Sequence, residues 1–146
     1  MKIMIACGGT GGHLFPGLAV AETLLRRGHP VRLLVSEKAI DQTALMGFRP
    51  GLESSRLSVR SISAVGYGTS GQLIGFCSRL ARATKASCDE CGRFKPDVVL
   101  GMGGFTSGPA VLAAWWRRIP TVIHESNAIP GKANRWAGKF ADRVAV

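Results

Sequence analysis

The fold class this sequence predicts is a doubly wound α/β domain on a parallel sheet, and three observations predict it. Short apolar runs alternate with helix-length amphipathic stretches along the chain, the pattern of repeated βαβ units. Several of those runs are apolar at nearly every position, as strands covered on both faces must be. Glycine-rich turns follow the first and fourth runs, where strand gives way to helix. A chain of 146 residues with 46% apolar content has room for one such domain with a sizeable core.

Taken in order, the first strand is expected over Ile3–Cys7. The helix after it should begin near Pro16, a residue suited to a first turn, and stop at Gly28, suited to a C-terminal cap. A second strand follows at Val31–Val35, a short helix at Lys38–Met46 and a third strand at Ser58–Ile62. The longest helical pattern runs from Gln72 to Phe94, and a fourth strand from Asp97 to Leu100. Ser107-Gly108-Pro109 reads as a capping hydroxyl with an early proline, opening a helix that includes Trp115 and Trp116. Thr121–His124 is the fifth strand, Lys132–Phe140 the last helix and Arg143–Val146 the final strand. No internal repeat or linker interrupts the pattern. The sequence stops on a strand, so a fragment, or one member of a split pair, is expected.

The formal net charge of +10, from 19 Lys+Arg against 9 Asp+Glu, favours an anionic partner or simply a solvated surface. Cys7, Cys77, Cys88 and Cys91 do not form a secreted framework. Cys88 and Cys91 make one CxxC pair with no second pair and no nearby histidine, so neither a closed zinc site nor a redox pair is expected. The N-terminal apolar run is too soon broken by glycine to be a signal peptide, and no run approaches the ~20 residues that span a bilayer.

Ligands of doubly wound sheets sit where strands turn into helices. The first such turn, Gly8-Gly9-Thr10-Gly11-Gly12-His13, has four glycines, more than a tight turn needs. Its amides and the following helix N-terminus suit a phosphate or diphosphate. A dinucleotide fingerprint beginning at Gly9 would need glycine where Leu14 stands, although Glu37 is placed to serve as the ribose-binding acid. The second turn, Gly101 to Pro109, repeats the same chemistry. The third, His124 to Gly131, brings His124, Glu125 and Asn127 to a strand end. A buried structural role suits His124 there as well as a catalytic one, and Asn127 suits a cap for the last helix. His13 lies at a helix N-terminus, whose dipole disfavours an imidazolium, so its neutral ring suits a general base. A histidine that merely bonds a carbonyl would sit there as well. Should His13 be architectural, Glu125 is the next candidate base.

Three stretches together resemble the MurG family of glycosyltransferases: GGTGGHLFPGLAVAETL at 8–24, KPDVVLGMGGFTSGP at 95–109 and IPTVIHESNAIPGKANRWA at 119–137. The resemblance spans essentially the whole chain. It implies the N-terminal half of a GT-B enzyme, two Rossmann-like domains facing a cleft. Residues 1–146 would be the acceptor-binding domain, and the donor-binding domain lies outside them. The implied reaction moves N-acetylglucosamine, with inversion, from UDP-N-acetylglucosamine to the muramyl C4 hydroxyl of undecaprenyl-diphospho-muramoyl-pentapeptide. The implied location is the cytoplasmic face of the inner membrane, and no cofactor or metal is implied. By position, Thr10, Gly11, Gly12 and Asn127 match residues that touch the donor, and His13 matches the proposed base. Gly103, Gly104, Thr106, Ser107 and Glu125 complete the substrate-binding set. Without a donor half the chain is not expected to transfer sugar alone. Where the family carries a basic stretch after the third strand, this sequence reads Val65-Gly66-Tyr67-Gly68-Thr69-Ser70-Gly71, which alters the acceptor contacts expected there.

From Ser54 to Cys88 the basic residues Arg56, Arg60, Arg79, Arg82 and Lys85 meet no acid. Leu73, Ile74, Phe76, Cys77 and Leu80 recur at helical spacing beside Arg79, Arg82 and Lys85, as on a helix lying on an anionic membrane. Such a stripe also suits packing on the sheet. A membrane-recruiting subunit of a split transferase is the second reading and a dinucleotide-binding domain the third. No basic–aromatic interleaving marks a nucleic-acid platform.

Overall fold

The computed structural model describes residues 1–48, 55–63 and 73–146. Among them the chain alternates strand and helix throughout: β1 (Ile3–Ala6), α1 (Gly11–Arg26), β2 (Val31–Ser36), α2 (Ala39–Gly47), β3 (Leu57–Ile62), α3 (Leu73–Phe94), β4 (Val98–Gly101), α4 (Gly104–Trp116), β5 (Thr121–His124), α5 (Lys132–Ala137) and β6 (Arg143–Ala145). The strands form one sheet in the order β3-β2-β1-β4-β5-β6, with every pairing parallel. This is the predicted Rossmann-like class, and all six expected strands are present within a residue or two of their expected bounds. Val65 to Gly71 and Gln72 lie outside the described residues.

The near-continuous apolar runs follow from burial on both sheet faces. Ile3, Ile5 and Cys7 of the first strand and its end pack with Val31, Leu33 and Val35 under Leu14, Leu18, Ala21 and Leu25 of α1. Met4 and Ala6 point the other way, onto Val99 and onto Ala110, Ala113 and Ala114 of α4, with Cys91 of α3. Period-two alternation thus feeds two cores from one strand. Gly17 lets α1 sit directly on β1, since a Cβ there would come within 2.5 Å of Cys7 Cβ.

Two helices start earlier than proline placement predicts. Pro16 and Pro109 lie inside α1 and α4 rather than in the first turn. In α1 the extra turn is closed by the Thr10 carbonyl, which accepts from His13 N–H at 3.2 Å and Leu14 N–H at 3.1 Å. In α4 the N-cap is Gly103, and Ser107 is an interior helical residue. The last helix stops at Ala137, short of Phe140, and its N-cap is Gly131 rather than Asn127.

The strand order reverses between β1 and β4: β2 and β3 follow outward from β1 on one side, and β5 and β6 outward from β4 on the other. A crevice opens at the carboxyl ends of strands flanking such a switch point. The two glycine turns follow these two strands.

Candidate functional site

The site is built where three strand ends meet. Ser107 ties the first two together: its hydroxyl lies 3.0 Å from the Ala6 carbonyl and 2.7 Å from the Gly103 carbonyl, and accepts from Gly103 N–H at 2.9 Å. Ser107 is buried, so within the described structure its hydroxyl organises the turn from below.

His13 stands on the second glycine turn. A Cβ on Gly103 would fall 2.8 Å from His13 Nδ1, and one on Gly104 would fall 2.9 Å from His13 Cδ2. Both glycines have positive φ, +99° and +72°, where side chains are strained in any case. The glycines of this turn therefore make the seat of the His13 ring. Among the described residues His13 Nδ1 is buried with no hydrogen-bond partner, as is the hydroxyl of Thr106, which faces the first turn 3.8 Å from where a Cβ on Gly9 would sit. Buried polar atoms are rarely left unpaired, which marks these two as candidate ligand contacts.

The third turn is organised by Glu125. Its carboxylate accepts from Asn127 N–H at 2.9 Å, Asn127 Nδ2 at 2.7 Å, Asn134 Nδ2 at 2.9 Å and Gly131 N–H at 3.2 Å. Burial alone would raise the Glu125 carboxyl, but the hydrogen bonds from Asn127, Asn134 and Gly131 overcome it and bring the pKa down to about 2. A carboxylate so stabilised is a weaker proton acceptor near neutrality than one at its ordinary pKa. Asn134, buried on α5, also donates to the His124 carbonyl at 3.2 Å, and its Nδ2 lies 3.1 Å from a Cβ position on Gly103. The amide oxygen of Asn134 and Nδ1 of His124 are buried and unpaired among the described residues. Thr10 and Asn127 are exposed at the rim, with Gly12 beside Thr10 and Gly11 half-buried.

Of the expected site residues, the structure brings His13, Gly103, Gly104 and Thr106 into one locus with the first glycine turn. Asn127 and Glu125 are joined in the adjoining turn. Asn134 and Asp41 were missed by sequence reasoning. Asn134 looks like an ordinary polar residue in a short helix, and its position on the buried face between Ala133 and Ala137 was the available signal. Asp41 looks like a first-turn acid complementing a helix dipole. Glu37 is exposed and accepts from the Ser63 hydroxyl at 3.3 Å.

The cysteines carry no reactive signature. Burial first, and then Asp41, pushes the Cys7 thiol up to about 12. Burial raises Cys91 to about 11, and Cys88 and Cys91 both sit late in α3. No group of His, Cys, Asp and Glu among the described residues is arranged to hold a metal ion.

On α3, Ala83, Ser87, Glu90 and Cys91 form the buried stripe. Ile74 is 87% exposed, Cys77, Arg82 and Lys85 are exposed, and Phe76, Arg79 and Leu80 are half-buried; the Leu73 side chain lies outside the described residues. Lys85 pairs with Asp89 at 3.1 Å. Next to Lys85, an open groove of about 330 Å³ is lined by Thr84, Cys88, Leu112 and the largely exposed Trp115 and Trp116. No described helix is long and apolar enough to cross a membrane.

Residues 3–146 match the family described as "Glycosyltransferase family 28 N-terminal domain". The chain is 43% identical, over its full length, to the UDP-N-acetylglucosamine–N-acetylmuramyl-(pentapeptide) pyrophosphoryl-undecaprenol N-acetylglucosamine transferase of Pelobacter propionicus, covering 38% of it. It is 44% identical to the transferase of the same name from Syntrophus aciditrophicus, covering 99% of this chain and 39% of that one. The crystal structure of Acinetobacter baumannii MurG superposes with a TM-score of 0.79 at 30% identity, over 98% of this chain and 40% of that one. The Streptomyces glycosyltransferase SsfS6 shares the fold at 18% identity and a TM-score of 0.65. The chain spans about two-fifths of the length of these relatives. With its switch-point glycine turns and this match over nearly every residue, the chain belongs to glycosyltransferase family 28, as the N-terminal domain of that family.

Proposed function

We propose that this chain is the acceptor-side half of an inverting glycosyltransferase, one that moves N-acetylglucosamine from UDP-N-acetylglucosamine to the C4 hydroxyl of a muramyl-pentapeptide carried on undecaprenyl diphosphate. The observation that carries this reading is the His13 ring seated on Gly103 and Gly104 between two glycine turns, with its Nδ1 unpaired among the described residues. The names borne by the relatives supply the substrate pair.

In this reading the amides at the α1 N-terminus and the Thr106 hydroxyl hold the acceptor diphosphate. His13 accepts the proton of the attacking hydroxyl, while Thr10, Gly11, Gly12 and Asn127 meet the donor across the cleft. Glu125 acts through Asn127 and Asn134, fixing both rather than touching the reacting atoms. Donor binding belongs to a second domain. The exposed end of α3, with Ile74, Arg82 and Lys85, and the Trp115–Trp116 groove together face an anionic membrane on the cytoplasmic side.

The test is co-sedimentation of the 146-residue chain with anionic vesicles, with and without an undecaprenyl-diphosphate-linked muramyl-pentapeptide, followed by an assay with UDP-N-acetylglucosamine. The expected result is salt-sensitive vesicle binding that the acceptor strengthens, with no sugar transfer. Binding indifferent to the acceptor, or robust transfer by this chain alone, would overturn the reading.

A further inference from the structure

The conformation of the first glycine turn is set by a carboxylate that lies outside it. Asp41, in the first turn of α2, is completely buried. Its Oδ2 accepts from Gly9 N–H at 2.7 Å, from Ser36 N–H at 3.1 Å and from the Ser36 hydroxyl. The Lys38 ammonium donates to the Gly9 carbonyl at 3.0 Å. Asp41 of α2 and Lys38 at the N-cap of α2 therefore hold both sides of Gly9. The fit is close, since a Cβ on Gly8 would fall 2.5 Å from Asp41 Oδ2.

A glycine amide at a strand-to-helix turn is where an anionic ligand ordinarily approaches the backbone. Here that amide already has an anion, and the anion belongs to the protein. The second observation is Thr106: wholly buried, its hydroxyl unpaired among the described residues, it faces Gly9 from the first turn of α4. A donor without an acceptor thus stands across from a turn whose inner amide is already filled.

We propose that Asp41 is the positioning residue of the anion-binding turn: it occupies the inner anion position at Gly9, on which the Thr106 hydroxyl borders, and confines a ligand's diphosphate to the outer rim of Thr10, Gly11 and Gly12. This rests on the diphosphate reading above. Two anions side by side repel, so a ligand phosphate cannot share Gly9 with Asp41 and must take the helix end. The carboxylate weakens anion binding through its charge and strengthens it through its hold on the turn. Variants separate the two effects. In Asp41→Asn the amide oxygen can replace Oδ2 at its three donors, and the NH₂ falls where Oδ1 has no partner, so the hold survives and the charge is lost. In Asp41→Ala both are lost.

The experiment is a titration of the ¹⁵N-labelled 146-residue chain with inorganic pyrophosphate, following backbone amides, repeated on both variants with circular dichroism as the check on folding. The Gly11 and Gly12 amides are expected to shift and the Gly9 amide to hold its position. Asp41→Ala should lose at least ~10-fold in affinity, the scale of a lost hydrogen bond to a charged group, and Asp41→Asn should stay within ~3-fold of the parent or bind tighter. If Asp41→Ala does not fold, the parent titration and Asp41→Asn decide. A Gly9 amide that shifts as much as Gly11 and Gly12 overturns the inference and leaves the diphosphate reading standing. So does a folded Asp41→Ala that binds as well as the parent, or a folded Asp41→Asn that loses tenfold. If no amide of either glycine turn responds to pyrophosphate, the diphosphate reading itself fails and this inference with it.

Discussion

The two glycine turns are nearly interchangeable as sequence and quite different as structure. Each follows a central strand, carries paired glycines and enters a helix with a proline inside it. The turn after β1 is shaped from outside: Asp41 and Lys38 grip Gly9, and the Gly8 backbone lies against the Asp41 carboxylate. The turn after β4 is shaped by the site itself, because Gly103 and Gly104 leave room for the His13 ring. Glycine gives close backbone approach in both places. In the first the approaching group is a structural carboxylate, and in the second it is the candidate base.

The sharpest way to break that comparison is to put methyl groups on the glycines. Gly103→Ala meets both a positive φ and a 2.8 Å approach to His13, so a loss of about 2–4 kcal/mol in unfolding free energy is expected. At Gly12, where a Cβ meets nothing within 4 Å, alanine should change stability by less than ~1 kcal/mol, and in the favourable direction. Adding His13→Ala to Gly103→Ala should recover about 1 kcal/mol, because the clash goes while the strain remains. Denaturant melts of the parent, these variants and His13→Ala alone check this. Equal costs at Gly12 and Gly103, or no coupling with His13, would show that the ring does not define the second turn.

Glu125 extends the comparison to the third turn, with a smaller effect. Its carboxyl titrates at about 2 in the fold against an ordinary 4.5, so the folded state favours the ionised form. That stabilisation is fully present above about 4.5 and is lost as pH falls toward 2. Glu125→Gln should cost about 1–3 kcal/mol at neutral pH by leaving donors of Asn127, Gly131 or Asn134 poorly matched. The variant should also show a flatter loss of stability between those pH values. An unchanged acid profile would mean that the carboxylate does not organise the turn.

The sheet was legible because burial on both faces writes itself into β1, β2 and β4 as near-continuous apolar runs. Helix starts were less legible. Proline marked α1 and α4 as helices but misplaced their beginnings, since the Thr10 carbonyl and the Ser107 hydroxyl close turns that precede the ring. His13 could be singled out from its place at a strand-to-helix turn, yet nothing in the sequence says that it rests on residues 103 and 104, some ninety positions away. Asp41 and Asn134 escaped for the same reason. Their partners, Gly9 and Glu125, are brought to them by the fold, and a lone acid or amide in a helix has many ordinary explanations.

The central claim is that the His13 ring, held on the second turn, takes the proton of the acceptor hydroxyl. The most direct measurement is steady-state kinetics of His13→Ala in a protein that carries this domain together with its donor-side half, alongside a thermal melt. A general base acts in the transition state and the turn amides remain, so kcat should fall by ~100- to 10,000-fold while KM for either substrate stays within a few-fold and the melting transition stays intact. Turnover within a few-fold of the parent, with a lowered melting temperature, would contradict it and make His13 a wedge between the two turns.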